Sequence, residues 1–261
     1  MSGLITVSEF KYSDAETIHP NHDYGAPGNC LDGNTYSSWK PNLQSNFASF
    51  DMKNAPPTII NSLGLSGVKN IHPDLNSILL YGAMLEDMSD IVEVARLSKT
   101  DIENGILLNN FDNEIIYNHY RVTVAYFTGV ITEIEISNII IGHTVEIPNG
   151  VGAPYTPPKL SAKTEILNNK TMGGHFVGRS VLSGQYDFII KNKNITPEWI
   201  EENWLSLHKQ ISEKPFMYLW DDTRPQDAVF CWTKGDIPPP KYDNQCYFSF
   251  SIPCNGFIEN D

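Results

Sequence analysis

Residues 121–141 read RVTVAYFTGVITEIEISNIII and carry the clearest strand pattern in the chain. Arg121–Phe127 is rich in β-branched and aromatic residues that alternate with polar ones, as in a strand with one buried face. Glu133–Ile141 alternates at first and then becomes a continuous apolar run. Both segments therefore predict β-strands.

Weaker strand patterns precede this stretch at Thr58–Leu65, Ser77–Tyr81 and Ile106–Leu108. Clusters of Gly, Asn, Asp and Pro separate them, and these residues favour turns. Several short strands with turn signals between them are typical of a β-sandwich or barrel. We therefore predict an all-β fold for the first part of the chain.

Residues 148–158 read PNGVGAPYTPP and form the clearest break in the pattern. Pro and Gly at this density continue neither a strand ladder nor a helix, so the segment predicts a stiff, extended linker. The expected organisation is a β-sandwich domain over 1–147, a linker over 148–160 and a β-rich domain over 161–261. Both predicted domains have ordinary sizes.

The second part carries one helix signal among further strands. Thr196 is a favourable N-cap, Pro197 suits the first helical position, and glutamates follow in the first turns. The helix is expected to end near Glu213, with an amphipathic stripe facing a sheet; the stripe consists of Ile200, Trp204, Leu207 and Ile211. Three segments then predict strands: Phe216–Trp220, Ala228–Trp232 and Tyr247–Ile252.

The composition excludes several classes of protein. The 261 residues include 31 Asp and Glu against 18 Lys and Arg, a net charge of -13, which argues against binding nucleic acid or anionic lipid. No apolar run approaches the length of a membrane span, and the first ten residues, MSGLITVSEF, lack the features of a secretory signal. Four cysteines occur without a CxxC pair, so we expect reduced core thiols and no zinc site.

An oxygen-rich loop lies at Asn29–Trp39, which reads NCLDGNTYSSW. Asp32-Gly33 marks a tight turn, and Trp39 can anchor the loop by burying its ring. Calcium prefers about six to eight oxygen ligands, many of them carbonyls that a tight loop can supply. From these residues alone, a polar loop with a buried tryptophan and a calcium-binding loop both remain open.

The run Leu31-Asp32-Gly33-Asn34 followed by Trp39 resembles the signature of the discoidin, or coagulation factor 5/8 type C, family. The resemblance implies a galactose-binding-like jelly-roll sandwich that binds sugars or lipid headgroups through loops at one end. It also implies a structural calcium. The implied ligands are the Asp32 side chain, carbonyls near Asn29, Asn34 and Ser37, and the carboxylate of Glu133.

The second part resembles virion proteins of tailed phages, of the group found at the tail tip and baseplate. The features that carry the resemblance are Gly178-Arg179-Ser180, Thr196-Pro197, Lys214-Pro215-Phe216, Trp220-Asp221, Arg224-Pro225, Val229–Trp232 and Gly235–Pro239. It implies a non-enzymatic structural component of the virion, assembled in the host cytoplasm. Its expected partners are other tail proteins, copies of itself in a ring that uses its aromatic and helical surface, and host-surface glycan.

Catalytic patterns are weak. Asp221-Asp222 is a pair of adjacent carboxylates, but neighbours on a strand point to opposite faces, and the chain has neither a GxSxG nor an HExxH motif. We therefore expect no enzymatic activity. A free carbohydrate-binding module outside any virion is the alternative function, and a small glycosidase or esterase is a more distant one.

Overall fold

The strands of the front part follow the predicted pattern. In this computed structural model the described residues are 2–10, 15–17, 23–41, 47–52, 59–71, 73–102, 106–109, 116–126, 134–150, 155–244 and 246–257. The strands are β1 (Gly3–Val7), β2 (Ala15–Thr17), β3 (Asp23–Gly25), β4 (Lys40–Pro41), β5 (Phe47–Met52), β6 (Ser62–Lys69), β7 (Leu75–Ala83), β8 (Val92–Ser98), β9 (Ile106–Asn109), β10 (His119–Tyr126), β11 (Glu135–Gly142) and β12 (Thr144–Ile147). A short helix, α1 (Lys99–Ile102), and a 3-10 turn, Pro27–Cys30, lie between them.

Two antiparallel sheets face each other across one apolar core. The first has the order β2-β5-β10-β7-β8 and the second the order β11-β6-β9. Phe50 and Val122 of the first sheet share a buried cluster with Leu65 and Ile136 of the second, as in a β-sandwich. We call this unit the front sandwich. The predicted all-β class with an amino-terminal β-sandwich is confirmed.

The remaining strands build a second, larger sheet, the back sheet. They are β13 (Ala162–Lys170), β14 (Phe176–Ile195), β15 (Phe216–Leu219), β16 (Val229–Thr233), β17 (Lys241–Asn244) and β18 (Tyr247–Phe257). The order of the back sheet is β12-β1-β15-β16-β18-β14-β13, and β17 pairs with β18. It therefore includes two strands, β1 and β12, from the amino-terminal part of the chain.

The predicted division after residue 147 does not follow the sheets. β1 pairs with β12 on one side, Gly3 opposite Ile147, and with β15 on the other, Leu4 opposite Leu219. This backbone pairing joins β1 and β12, which lie near the two ends of the first part, to the back sheet. A small apolar cluster also joins the two parts, with Leu4, Leu107 and Ile140 packed against Met217, Leu219, Ala228 and Phe230. The domain boundary therefore needs revision, since segments near both ends of 1–147 belong to the back sheet.

The described part of the predicted linker is docked on the back sheet. Asn149 donates from Nδ2 to the carbonyl of Asn194 at 2.7 Å, and Asn192 donates to the carbonyl of Gly150. Tyr155 is half-buried, with its ring 5.9 Å from that of Trp220. The segment 148–160 is therefore held by side-chain contacts where it is described, and residues 151–154 lie outside the described residues.

The predicted helix is confirmed, with one irregularity. It consists of α2 (Pro197–Trp199), a π-helical segment (Ile200–Trp204) and α3 (Leu205–Glu213). Thr196 Oγ1 accepts a hydrogen bond from Trp199 N, which makes it the N-cap. The predicted stripe faces the back sheet, where Trp204, Leu207 and Ile211 are buried and Ile200 packs against the same cluster. The helix ends at Lys214, whose backbone is extended before Pro215.

Candidate functional site

The loop that follows the 3-10 turn Pro27–Cys30 is anchored at both ends. Cys30 and Leu31 are buried on one side of it. On the other side, Trp39 exchanges two backbone hydrogen bonds with Ile136 of β11, at 2.9 and 3.0 Å. The buried indole also packs edge-on against Phe50, with ring centroids 4.8 Å apart. The residues between these anchors are therefore held against the front sandwich.

Side-chain hydrogen bonds fix the shape of this loop. Asp32 accepts from Asn34 N at 2.7 Å with one carboxylate oxygen and from Ser37 Oγ at 2.7 Å with the other. Asn34 Oδ1 accepts from Tyr36 N at 2.9 Å. Asp and Asn stabilise turns in this way. The result is an ordered loop that presents Tyr36, whose side chain is 96% exposed, to solvent.

The loop brings three of the predicted calcium ligands, those of Asn29, Asp32 and Asn34, together around the hydroxyl of Ser37. Ser37 Oγ lies 2.7 Å from the Asp32 carboxylate, 3.3 Å from the carbonyl of Asn34 and 3.5 Å from that of Asn29. These oxygens are the donor type that calcium prefers, although six to eight are needed for a full shell. The fifth predicted ligand, Glu133, lies outside the described residues. The oxygens therefore fit a calcium ion in chemistry, and its binding stays a prediction.

Neighbouring groups do not complete this oxygen cluster. Glu135 lies two residues after Glu133 and is described. Its carboxylate forms an ion pair with Lys40 Nζ at 2.7 Å. The Asn29 side chain donates to the carbonyl of Ser38 at 3.1 Å and so supplies structure to the loop. Within the described ranges, no three His, Cys, Asp or Glu side chains lie close enough together to hold a metal ion. Further calcium ligands would therefore be backbone carbonyls, neutral side-chain oxygens, water or residues beyond those ranges.

A cavity of about 280 Å³ lies beside the loop, between the front sandwich and the start of β15. Its lining is mostly apolar and consists of Ser8, Phe10, Cys30, Leu31, Asp32, Gly33, Asn138, Ile139, Ile140, Lys214 and Pro215. Asn138 is buried, and among the described residues neither atom of its amide has a hydrogen-bond partner. Lys214 Nζ donates to the carbonyl of Ser8 at 3.0 Å. The cavity therefore combines apolar walls with polar groups from both parts of the chain.

Burial decides the state of the thiol in this cavity wall. Cys30 is buried, and desolvation raises the pKa of its thiol well above the usual value. Its Sγ donates to the carbonyl of Pro27 at 2.9 Å. At neutral pH the group is therefore a protonated core thiol, as predicted. Cys231 and Cys254 are buried as well, whereas Cys246 is exposed, so the prediction of a core position is wrong for Cys246.

The adjacent carboxylates of the second part face different surroundings. Asp221 is buried and accepts from Thr223 Oγ1 at 2.7 Å and from Thr223 N at 3.0 Å, and these hydrogen bonds lower the pKa of its carboxyl. Asp222 is exposed. The two carboxylates therefore do not share a cleft, in line with the expectation that this pair cannot act on one bond.

Two features of the site were missed by the sequence analysis. Tyr36 was noted only as part of a polar loop, although an aromatic residue among small polar ones is itself a signal for an exposed ring. The cavity brings Leu31, Asn138 and Pro215 together from segments that are far apart in the chain. No local spacing encodes such a meeting, so the sequence offered no signal for it.

No family model and no curated protein matches the chain. Similar solved structures include the CBM32 module of AlyQ in complex with 4,5-unsaturated mannuronic acid, with 16% identity, a TM-score of 0.38, and coverage of 55% of this chain and 98% of the module. A Clostridium perfringens CBM32 module in complex with GalNAc-β-1,3-galactose has 16% identity and a TM-score of 0.37, with coverage of 49% and 91%. A Ruminococcus gnavus GH29 fucosidase in complex with fucose has 13% identity and a TM-score of 0.34, over 46% of this chain and 22% of the fucosidase.

Proposed function

We propose that the protein is a non-catalytic binding and assembly component of a bacteriophage tail tip or baseplate, and that its front sandwich contacts host-surface carbohydrate through Tyr36. The single observation that carries the binding role is the almost complete exposure of Tyr36 on a loop fixed by hydrogen bonds. A tyrosine ring offers an apolar face for the ring carbons of a sugar and a hydroxyl for its polar groups.

The order of the loop matters for this role. A side chain on a mobile loop loses conformational entropy when it binds, whereas a pre-organised one loses less. The side chains of Asp32 and Asn34 stabilise the turns before Tyr36. Ser37, the residue after Tyr36, donates a hydrogen bond to Asp32. Tyr36 therefore suits weak, repeated binding of glycan, which many copies on a virion would strengthen through multivalency.

The proposed place in the virion rests on the resemblance of the second part to phage tail proteins. In this proposal the back sheet supplies the contacts with other tail proteins. Assembly in the host cytoplasm and release with the virion follow from the same proposal. Genes for a tape-measure protein and a tail tube beside this one would support it, and a location among glycan-degradation genes would contradict it.

Glycan binding is tested with a paired substitution. The full-length protein is displayed in multivalent form on a glycan array, beside Tyr36→Ala and Tyr242→Ala. Tyr242 is also well exposed but lies on β17 of the back sheet. We expect the wild type and Tyr242→Ala to bind the same saccharides and Tyr36→Ala to lose at least tenfold in signal. An array without signal for the wild type, or equal binding by Tyr36→Ala, would contradict the proposal.

A free carbohydrate-binding module is the second candidate function. The observation in its favour is that the described residues of the front sandwich form an apolar core cluster distinct from that of the back sheet. Both candidates use Tyr36 in the same way, so the glycan array does not separate them. Assembly does: a tail component associates with itself or with tail proteins, whereas a free module stays monomeric.

A further inference from the structure

A two-stranded β-ribbon, which we call the arm, extends from the back sheet at residues 164–184. β14 pairs with β18 only from Gln185 onward, opposite Phe257. Before that point the described pairing of β14 is with β13 alone, from Gly184 opposite Thr164 to Phe176 opposite Lys170. The arm is therefore an edge ribbon without a sheet beneath it among the described residues.

The arm exposes an unusual amount of apolar surface. Its large apolar residues that are half or more exposed are Leu167, Met172, Phe176 and Val177. A two-stranded ribbon is only marginally stable in water, and it usually needs packing against another surface. Apolar residues at these positions are costly in solvent unless a partner covers them. The arm therefore has the character of one half of an interface.

The charge of the arm favours a second copy of this chain as the partner. The arm carries Lys170 and Arg179 against one acidic residue, Glu165, whereas the whole chain has 31 acidic and 18 basic residues. A basic, apolar ribbon is attracted to an acidic surface that also offers an apolar group. Another copy of this chain provides many acidic surfaces.

One such surface lies on the solvent side of the helix. Glu198, Glu201 and Glu202 are exposed there, and so is Leu205, at 77%. All four are exposed, whereas Trp204, Leu207 and Ile211 of the same helix are buried, so the four lie on its solvent side. The helix face, defined by these four residues, therefore combines three carboxylates with one large apolar side chain.

The arm cannot reach the helix face of its own molecule. The arm ends at Gly184 and the helix begins after Thr196, at the opposite end of β14. A strand rises about 3.3 Å per residue, so roughly 40 Å separates them along β14. The contact must therefore be made between two molecules, each of which uses a different surface.

We propose that the arm of one copy packs on the helix face of a second copy, with Lys170 and Arg179 near its glutamates and Phe176, which is paired opposite Lys170, against Leu205. This inference rests on the assembly part of the proposed function. Because the two surfaces differ, the contact is heterologous, and its repetition gives a closed ring or an open filament. The sequence analysis expected an interface made by the aromatic and helical surface. The arm instead supplies the apolar half, since Trp204, Phe216, Tyr218 and Phe230 are buried in the core.

Charge exchange tests the pairing directly. Sedimentation velocity and light scattering measure the assembly of the wild type, of Lys170→Glu/Arg179→Glu, of Glu201→Lys/Glu202→Lys and of an equimolar mixture of the two variants. We expect wild-type oligomers that weaken at high salt, at least tenfold weaker association of each variant alone, and recovery in the mixture. Phe176→Ser should also be monomeric.

Control variants and a second readout separate the outcomes. Lys69→Glu and Leu85→Ser alter exposed positions of the front sandwich and should assemble like the wild type. A monomeric wild type, assembly that survives both charge reversals, or no recovery in the mixture would each overturn the proposal. Monomeric arm variants that still bind glycan in multivalent display would show that a failure here is independent of Tyr36.

Discussion

Asp32 holds the loop that carries Tyr36, because its two carboxylate oxygens each accept a hydrogen bond from inside the loop. The same carboxylate is the only acidic side chain among the predicted calcium ligands that the structure describes. Its hydrogen bonds therefore stabilise the loop with or without a metal ion, and any further stabilisation by calcium is measurable as a change in the unfolding temperature.

Calcium binding at this loop predicts a calcium-dependent stability. A ligand that binds only the folded state stabilises it by about 2.7 kcal/mol at one hundred times its Kd. We expect calcium to raise the unfolding temperature by several degrees over the chelated protein, and Asp32→Asn to abolish the difference. Asp222→Asn, at an exposed position outside the loop, is the matched control. Identical melting curves with calcium and with chelator would rule the metal site out.

Asn138 makes a second prediction at the residue scale. A buried amide without hydrogen bonds costs about 1–3 kcal/mol relative to an apolar group of similar size. Asn138→Leu should therefore raise the free energy of unfolding by this amount in urea denaturation. Asn192→Leu is the control that should lower it, because the Asn192 amide donates to Gly150. A loss of stability in Asn138→Leu would mean that the cavity supplies a partner for this amide in solution.

At the scale of elements, β1 is the connection between the front sandwich and the back sheet. It lies between β12 and β15, and just after it Glu9 N donates to Ile141 O of β11 at 2.9 Å. Gly142, at the end of β11, is packed closely here, since a Cβ on it would lie 2.2 Å from the carbonyl oxygen of Val7. A side chain at this position must therefore displace backbone.

Gly142→Ala should destabilise the chain by about 1–3 kcal/mol, the usual cost of overpacking. Gly178→Ala is the matched control, because a Cβ at Gly178 meets nothing within 4 Å; its effect should stay within about 1 kcal/mol. Chemical denaturation of the two variants measures both. Equal stabilities would show that β1 can move away from β11 without cost.

The elements themselves were largely predictable. The strands around residues 121–141 and the helix capped by Thr196 follow from local alternation, capping and side-chain stripes. The π-helical segment at Ile200–Trp204 was not predicted. Nothing in local propensity distinguishes it from an α-helix.

At the scale of the whole molecule, the back sheet needs strands from the first part of the chain. A fragment of residues 148–261 lacks β1 and β12. In it, β15 has no partner on the side where β1 pairs with it, and the core lacks the apolar side chains of Ile5, Val7 and Ile147. We expect no cooperative thermal unfolding of this fragment by circular dichroism. A sharp transition would show that the second part folds alone.

A second fragment tests whether the missing strands β1 and β12 are the reason why the first fragment does not fold. β1 and β12 are antiparallel, with Thr6 opposite Thr144, so a short glycine-rich turn can join residues 2–8 to 143–261. This chain restores the order β12-β1-β15 without the front sandwich. We expect it to unfold cooperatively, at a lower temperature than the full-length protein. Failure of this fragment to fold would indicate that the front sandwich itself supports the back sheet.

No helix in the described part of the chain is long and apolar enough to cross a membrane. The amphipathic helix at residues 197–213 packs on the back sheet. Its buried stripe belongs to the core, and its opposite face remains available to solvent or to a second copy.

The sequence by itself determined the β class, the helix and the oxygen-rich loop, because these depend on neighbours within a few residues. Only the tertiary structure decided that β1 and β12 join the back sheet, that Asn138 and Lys214 meet at one cavity, and that the arm is uncovered. The physical reason is that strand pairing and burial depend on which distant segments meet. A strand pattern shows that a face can be buried, and the assembled fold determines what covers it.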